Sequence, residues 1–208
     1  MLYALHYKKK NKNFIVSVSG AQNTGKSTIV KTLVETYPDI FWTPERTYRD
    51  MIKEKGLIIN QQGSFESQKS IMEFLIDQLF DVRKVTNKIV ILDRSILDCH
   101  IYSKFLFINK KITLEEFKQL DDLYKGTNWI LGEITNIFVR YNPDIPIIND
   151  TLRDTDVNYI KIIDYMFEEE FEKIKCEIEI NHHYSKSSRI KIIMNYLEFI
   201  IKEFKAQK

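Results

Sequence analysis

Apolar and polar positions change period repeatedly along this chain. From Phe14 to Ser19 the run is short and mostly apolar, which predicts a buried strand ending at Gly20. From Ser27 to Tyr37 the spacing is helical: Ile29, Val30, Leu33 and Val34 share a face, and Pro38 closes it. Ile40 to Thr43 reads as a second strand, stopped by Pro44. Phe65 to Lys84 predicts a long amphipathic helix, with Ile71, Phe74, Leu75, Leu79 and Val82 on one stripe. Ile89 to Leu92 is continuously apolar, as in a strand covered on both faces. Ser95 to Phe107 reads helical, and Thr113-Leu-Glu-Glu116 is a capping box opening a helix up to Lys125. Ile137 to Tyr141 and Glu177 to Ile180 complete the strands; Val157 to Lys175 and Ser187 to Phe204 complete the helices. Strands alternating with helices predict an α/β fold, a five-stranded parallel sheet with helices on both faces.

Composition narrows the class. The 208 residues suit a single domain. Hydrophobic residues make up 44% and charged residues 29%, which is ordinary globular usage. The longest apolar run, Met1 to Leu5, is far short of the ~20 residues of a membrane span, and we expect an intracellular, cytoplasmic protein without a membrane partner. Cys99 and Cys176 are too few and too far apart for a disulfide framework or metal spacing, so we read them as buried thiols. His182 and His183 lack neighbours at ligand spacing. With 31 basic against 29 acidic residues there is no broad nucleic-acid footprint. The run Lys8 to Lys12 reads as part of a solvated basic arm over residues 1–12.

The chemistry begins after the first strand. Gly20-Ala21-Gln22-Asn23-Thr24-Gly25-Lys26-Ser27 fits G-x-x-x-x-G-K-[ST] between a strand and a helix. The glycines let successive N–H groups curl around phosphate oxygens, and the next helix points its positive end there. Gly20, Asn23, Thr24, Gly25, Lys26, Ser27 and Thr28 are therefore the candidate ATP-binding residues. Lys26 would neutralise the β- and γ-phosphates, and the Ser27 hydroxyl would hold Mg²⁺. A GTPase is excluded, because Asp93-Arg94-Ser95-Ile96 lacks the glycine of D-x-x-G and Asn87-Lys88-Ile89-Val90 lacks the aspartate of N-K-x-D.

The ends of the next two strands, Thr43-Pro44-Glu45-Arg46-Thr47-Tyr48-Arg49 and Leu92-Asp93-Arg94-Ser95, resemble the deoxynucleoside-kinase and thymidylate-kinase group. A nearer resemblance is to the AAA-type phosphate-loop (P-loop) family that includes the ribosylnicotinamide-kinase domain. Asp144 to Arg153 is similar to that family's P-x-x-x-D-x-x-R segment, and His183-Tyr184 with Arg189 to its Tyr…Arg segment. The chain departs from the pattern in spacing Glu45 and Arg49 by four and in carrying a single arginine, Arg153, in a lid-like segment over residues 142–158. The resemblance implies a three-layer P-loop fold and an ATP- and Mg²⁺-dependent kinase for a nucleoside, nucleotide or related small molecule.

Chemistry suggests the roles. Asp93 ends a buried strand at the phosphate edge and would hold the Mg²⁺ water shell; it also suits an N-cap. Arg94 would reach the acceptor or the transferring phosphoryl group. Glu45 is the candidate general base on an acceptor hydroxyl, while Arg46 and Arg49 would suit a phosphate acceptor. Arg153 would close over the triphosphate. Tyr48 and Gln68, with Phe65, Phe74 and Gln78 nearby, would line the acceptor pocket, and Arg189 would stack on adenine. The aromatic helix from Ile96 to Phe107 is a candidate homodimer face. Two rival readings are a kinase acting on a nucleic-acid end or modified base, and a nucleotide-binding regulatory module.

Overall fold

The computed structural model describes residues 14–85, 87–147, 154–174, 178–181 and 183–206. The basic arm, Arg153, Cys176 and His182 lie outside them. In chain order the elements are β1 (Ile15–Ser19), α1 (Lys26–Thr36), β2 (Phe41–Trp42), α2 (Tyr48–Lys55), α3 (Phe65–Val82), β3 (Ile89–Asp93) and α4 (Ile96–Ile108). Then come α5 (Leu114–Gly126), α6 (Asn128–Leu131), β4 (Ile134–Val139), α7 (Val157–Ile174), β5 (Ile178–Ile180) and α8 (Lys186–Ala206), and a 3-10 turn, Asn60–Gln62, precedes α3. The five strands form one sheet in the order β2-β3-β1-β4-β5, and every pairing is parallel.

The period of two along each strand divides the core. Val16, Val18, Ile89, Ile91, Ile137 and Val139 face α1 and α8, where they meet Ile29, Leu33, Ile193 and Leu197. Ile15, Val90, Leu92, Ile134 and Phe138 face the other layer, built from α2, α3, α4, α5 and α7. Each fully buried aliphatic side chain contributes roughly 1.5–3 kcal/mol. Helices thus cover both faces, as the alternating pattern predicts.

Three sequence expectations change. β4 spans Ile134–Val139 rather than Ile137 to Tyr141. Its polar start is paired: Asn136 Oδ1 accepts the Ser17 hydroxyl of β1 at 2.9 Å, in register with Ser17 opposite Asn136. The segment after β2, where the sequence reading places no element, contains α2. Thr47 and Asp50 form a capping box that opens α2, with Thr47 N–H donating to Asp50 Oδ2 at 2.8 Å, and Gly56 closes it in the left-handed region. The proposed dimer face on α4 is buried: Ile96, Leu97, Ile101, Phe105 and Leu106 are all core, enclosed by α3, α5 and α7.

Candidate active site

Sheet order sets β1 and β3 side by side, so the phosphate loop after β1 and the Asp93-Arg94 pair at the end of β3 meet at one edge of the sheet. Asp93 is level with Val18, and the Arg94 N–H donates to the Val18 carbonyl at 3.1 Å.

The phosphate loop curls tightly between β1 and α1. Gly20 has φ +140°, and a Cβ there would lie 2.4 Å from the Val139 carbonyl oxygen, so only glycine lets the loop pass β4. Asn23 and Gly25 also have positive φ, at 60° and 88°. Lys26 is buried; its ammonium donates to the Ala21 carbonyl and to Thr24 Oγ1 at 3.1 Å. Burial, then the charge of Arg94, holds the Lys26 pKa well below its ordinary value of 10.5. Ser27 and exposed Thr28 line the mouth of the loop together with Asn23, Gly25 and Lys26. Arg49 of α2 closes the far side of that mouth.

A second cleft adjoins it, with about 380 Å³ of free space, part of it open to solvent. Its apolar wall is Ile59, Ile71 and Leu75, and its polar groups are Tyr48, Asn60, Gln68, Arg94, Asp98 and Tyr102. Arg94 is 7% exposed and has φ 87°, a strained backbone that costs on the order of 1–3 kcal/mol. Its guanidinium donates to Asp98 Oδ1 at 3.3 Å and lies 5.6 Å from the Tyr48 ring centre and 5.1 Å from that of Tyr102. Arg49 donates to the Tyr48 hydroxyl at 3.2 Å. Gln68 is held by the Cys99 thiol, 3.3 Å from Oε1, and burial pushes that thiol up to about 12, so Cys99 stays protonated.

The two clefts share one charge cluster. Lys26, Arg49 and Arg94 are the cations, and Asp93 acts on each of them. Asp98 is the second carboxylate. It is lifted by burial against the pull of Arg94 and Lys26. Three cations against two carboxylates leave an excess of positive charge for an anion. Asp93 Oδ1 is buried without a hydrogen-bond partner. Among the described residues no group of three His, Cys, Asp or Glu side chains forms a cage. A hydroxyl, one free carboxylate oxygen and substrate phosphates fit Mg²⁺, which seldom takes an all-protein cage.

The remaining candidates lie elsewhere. Glu45 is exposed and lines neither cleft. Arg46 points into a separate groove with Trp42, Pro44, Phe74 and Gln78 and pairs with Glu54 at 2.6 Å. Phe65 and Phe74 pack against the core. Arg189 is 1% exposed; it donates to the carbonyls of Thr24 at 2.8 Å and Tyr184 at 3.0 Å. Its faces are covered, so it braces the loop from outside and offers no surface for a purine. Within the lid-like segment, the Asp154 carbonyl accepts from Asn23 Nδ2 at 3.3 Å, and Gln61 donates to Asp154 Oδ2 at 2.9 Å. Sequence reading missed Gln22, Asp98 and Tyr102. Asp98 carried a signal, as the fourth residue of Ser95-x-x-Asp98, whose Ser95 N–H donates to Asp98 Oδ2 at 2.9 Å.

The profile of the AAA domain family matches residues 15–185, most of the chain and both clefts. The chain belongs to that family. Its AAA domain is a P-loop domain, and solved structures share the fold. NadR protein in complex with NR superposes with a TM-score of 0.66 at 17% identity, over 90% of this chain and 52% of that one. The chain therefore spans about half the length of NadR. Deoxyadenosine kinase from M. mycoides, with products dCMP and dCDP, superposes with a TM-score of 0.66 at 17% identity, over 89% of this chain and all of the other. A NadR complex with NAD and AMP-PNP gives 0.65 at 18%, over 91% of this chain and 51% of that one. A search of curated proteins finds no match. No described helix is long and apolar enough to cross a membrane.

Proposed function

We propose that this AAA domain is an ATP- and Mg²⁺-dependent kinase that phosphorylates a hydroxyl of a nucleoside or a similar small heteroaromatic molecule. The observation that carries the reading is the junction of two unlike clefts: a phosphate loop with excess positive charge, and an aromatic, amide-bearing slot, joined where Arg49 meets Tyr48 and Gln22 meets Tyr102. Structures of similar fold are complexes with NR, AMP-PNP and deoxynucleotides, which supports nucleotide chemistry here.

The triphosphate would lie against the amides around Lys26, whose ammonium turns from the Ala21 carbonyl to phosphate oxygens. Ser27 and Asp93 would hold Mg²⁺, which neutralises phosphate charge when bound. Tyr48 offers a face for a flat ring and Gln68 an amide for its edge. Arg94 and Arg49 would steady the transferring group. Glu45 would serve as base once the 43–47 loop folds inward over Tyr48, a closure typical of such enzymes.

Turnover of a panel of nucleosides by wild type, Glu45→Gln and Asp93→Asn tests the assignment. Glu45→Gln is expected to lower kcat by about 100-fold or more and leave ATP binding intact. An unchanged kcat would remove Glu45 as the base, and the hydroxyl-acceptor assignment with it. Absence of phosphoryl transfer to any nucleoside would overturn the reading itself.

A further inference from the structure

The phosphate loop is held by residues of the neighbouring cleft. On α4, Asp98 and Tyr102 stand one turn apart and both line the acceptor slot. Asp98 Oδ1 accepts the Gly20 N–H at 3.4 Å. The Tyr102 hydroxyl accepts the Gln22 N–H at 3.1 Å and donates to Gln22 Oε1 at 2.6 Å. The loop is thus fixed at its first and third residues by the wall of the slot.

Tyr102 also accepts from Arg94 Nη2 at 3.5 Å. A phenol has one donor and two acceptor sites, so this hydroxyl is fully committed. The Arg94 contact is its longest and weakest. Arg94 Nε and Gln22 Nε2 are buried without partners. An oxygen entering the slot would engage the unpaired Nε, draw the guanidinium from Tyr102, and leave the phenol to bind Gln22 alone. A polyphosphate entering the loop would act on the same chain of contacts from the other end.

We propose that Tyr102 is a positioning residue that couples occupancy of the acceptor slot to the shape of the phosphate loop, so that each ligand changes the affinity for the other. The coupling is reciprocal by thermodynamic necessity. The inference rests on reading the slot as the acceptor site and the loop as the nucleotide site.

Hydrogen exchange with and without Mg²⁺–AMP-PNP tests it without a known acceptor. In wild type the nucleotide is expected to slow exchange at residues 20–27 and, through Tyr102, at residues 94–103, by about fivefold or more. Tyr102→Phe is expected to keep the first effect and lose the second. A purely structural role would raise exchange in the free protein but leave the nucleotide-induced ratio unchanged. Should Tyr102→Phe fail to fold, Gln22→Leu cuts the same link from the loop side. Retention of both effects in the variant would overturn the coupling, as would wild-type protection confined to 20–27, although the nucleotide site would stand. No protection at 20–27 in wild type would remove the nucleotide site and the coupling together.

Discussion

Lys26, to which we assign phosphate binding, carries a cost in the folded protein. Its ammonium is buried near Arg94 and Arg49, and its pKa is lowered by burial first and by those charges next. The folded state therefore releases this proton more readily than the unfolded chain does. The penalty is full below the lowered pKa and fades as pH rises past it towards 10.5. Lys26→Met is expected to abolish nucleotide binding yet raise the melting temperature of the ligand-free protein, and to flatten the gain in stability between neutral and alkaline pH. Thermal melts across that range check both. Arg94 carries the other local cost, its positive φ, and that strain is offset by contacts with Val18, Asp98 and two aromatic rings.

At the scale of elements, the two glycines of the loop play different parts. A Cβ on Gly20 would meet the Val139 carbonyl at 2.4 Å, whereas one on Gly25 meets nothing within 4 Å. Gly20→Ala is expected to cost roughly 3 kcal/mol, by forcing the loop from β4. Gly25→Ala is expected to cost only about 1 kcal/mol, the strain of its positive φ. Urea unfolding of the two variants separates these effects. The short α2 matters as much as the loop, because its capping box delivers Tyr48 and Arg49 to the two clefts. Thr47, Asp50 and Gly56 announced that helix in the sequence. The sequence reading stops the second strand at Pro44 and places no further element before Phe65, so it passes over them.

Across the whole molecule, Arg140 ties the far edge of the sheet to the helical layer. It binds Asp164 at 2.9 Å and Glu168 at 2.8 Å on α7, and Glu179 at 2.9 Å on β5. Asp164 also accepts the Tyr141 N–H at 2.7 Å. Arg140→Gln leaves these carboxylates facing one another and is expected to destabilise the fold by about 3 kcal/mol. Raised exchange in α7 and β5 would report where the loss falls. The Arg140 carbonyl also lies 3.5 Å from Arg189 Nη2, so the cluster backs onto the residue that braces the phosphate loop.

The five strands and the longer helices between them, the phosphate loop and the pairing of Asp93 with Arg94 were legible in the chain itself, because each depends on near neighbours: a period of two or 3.6, a capping pair, a glycine beside a lysine; the short α2 and α6 were not. Tertiary structure alone decided which side chains converge. Parallel pairing set Asn136 opposite Ser17 and so started β4 early. The wrapping of α4 by three helices turned an apparent dimer face into core, and aimed Asp98 and Tyr102 at a loop about 80 residues away. Glu45 was left in solvent, and on the other face of the sheet α8 pressed Arg189 against the loop. Convergence of this kind depends on contacts between distant segments, and local periodicity carries no record of them.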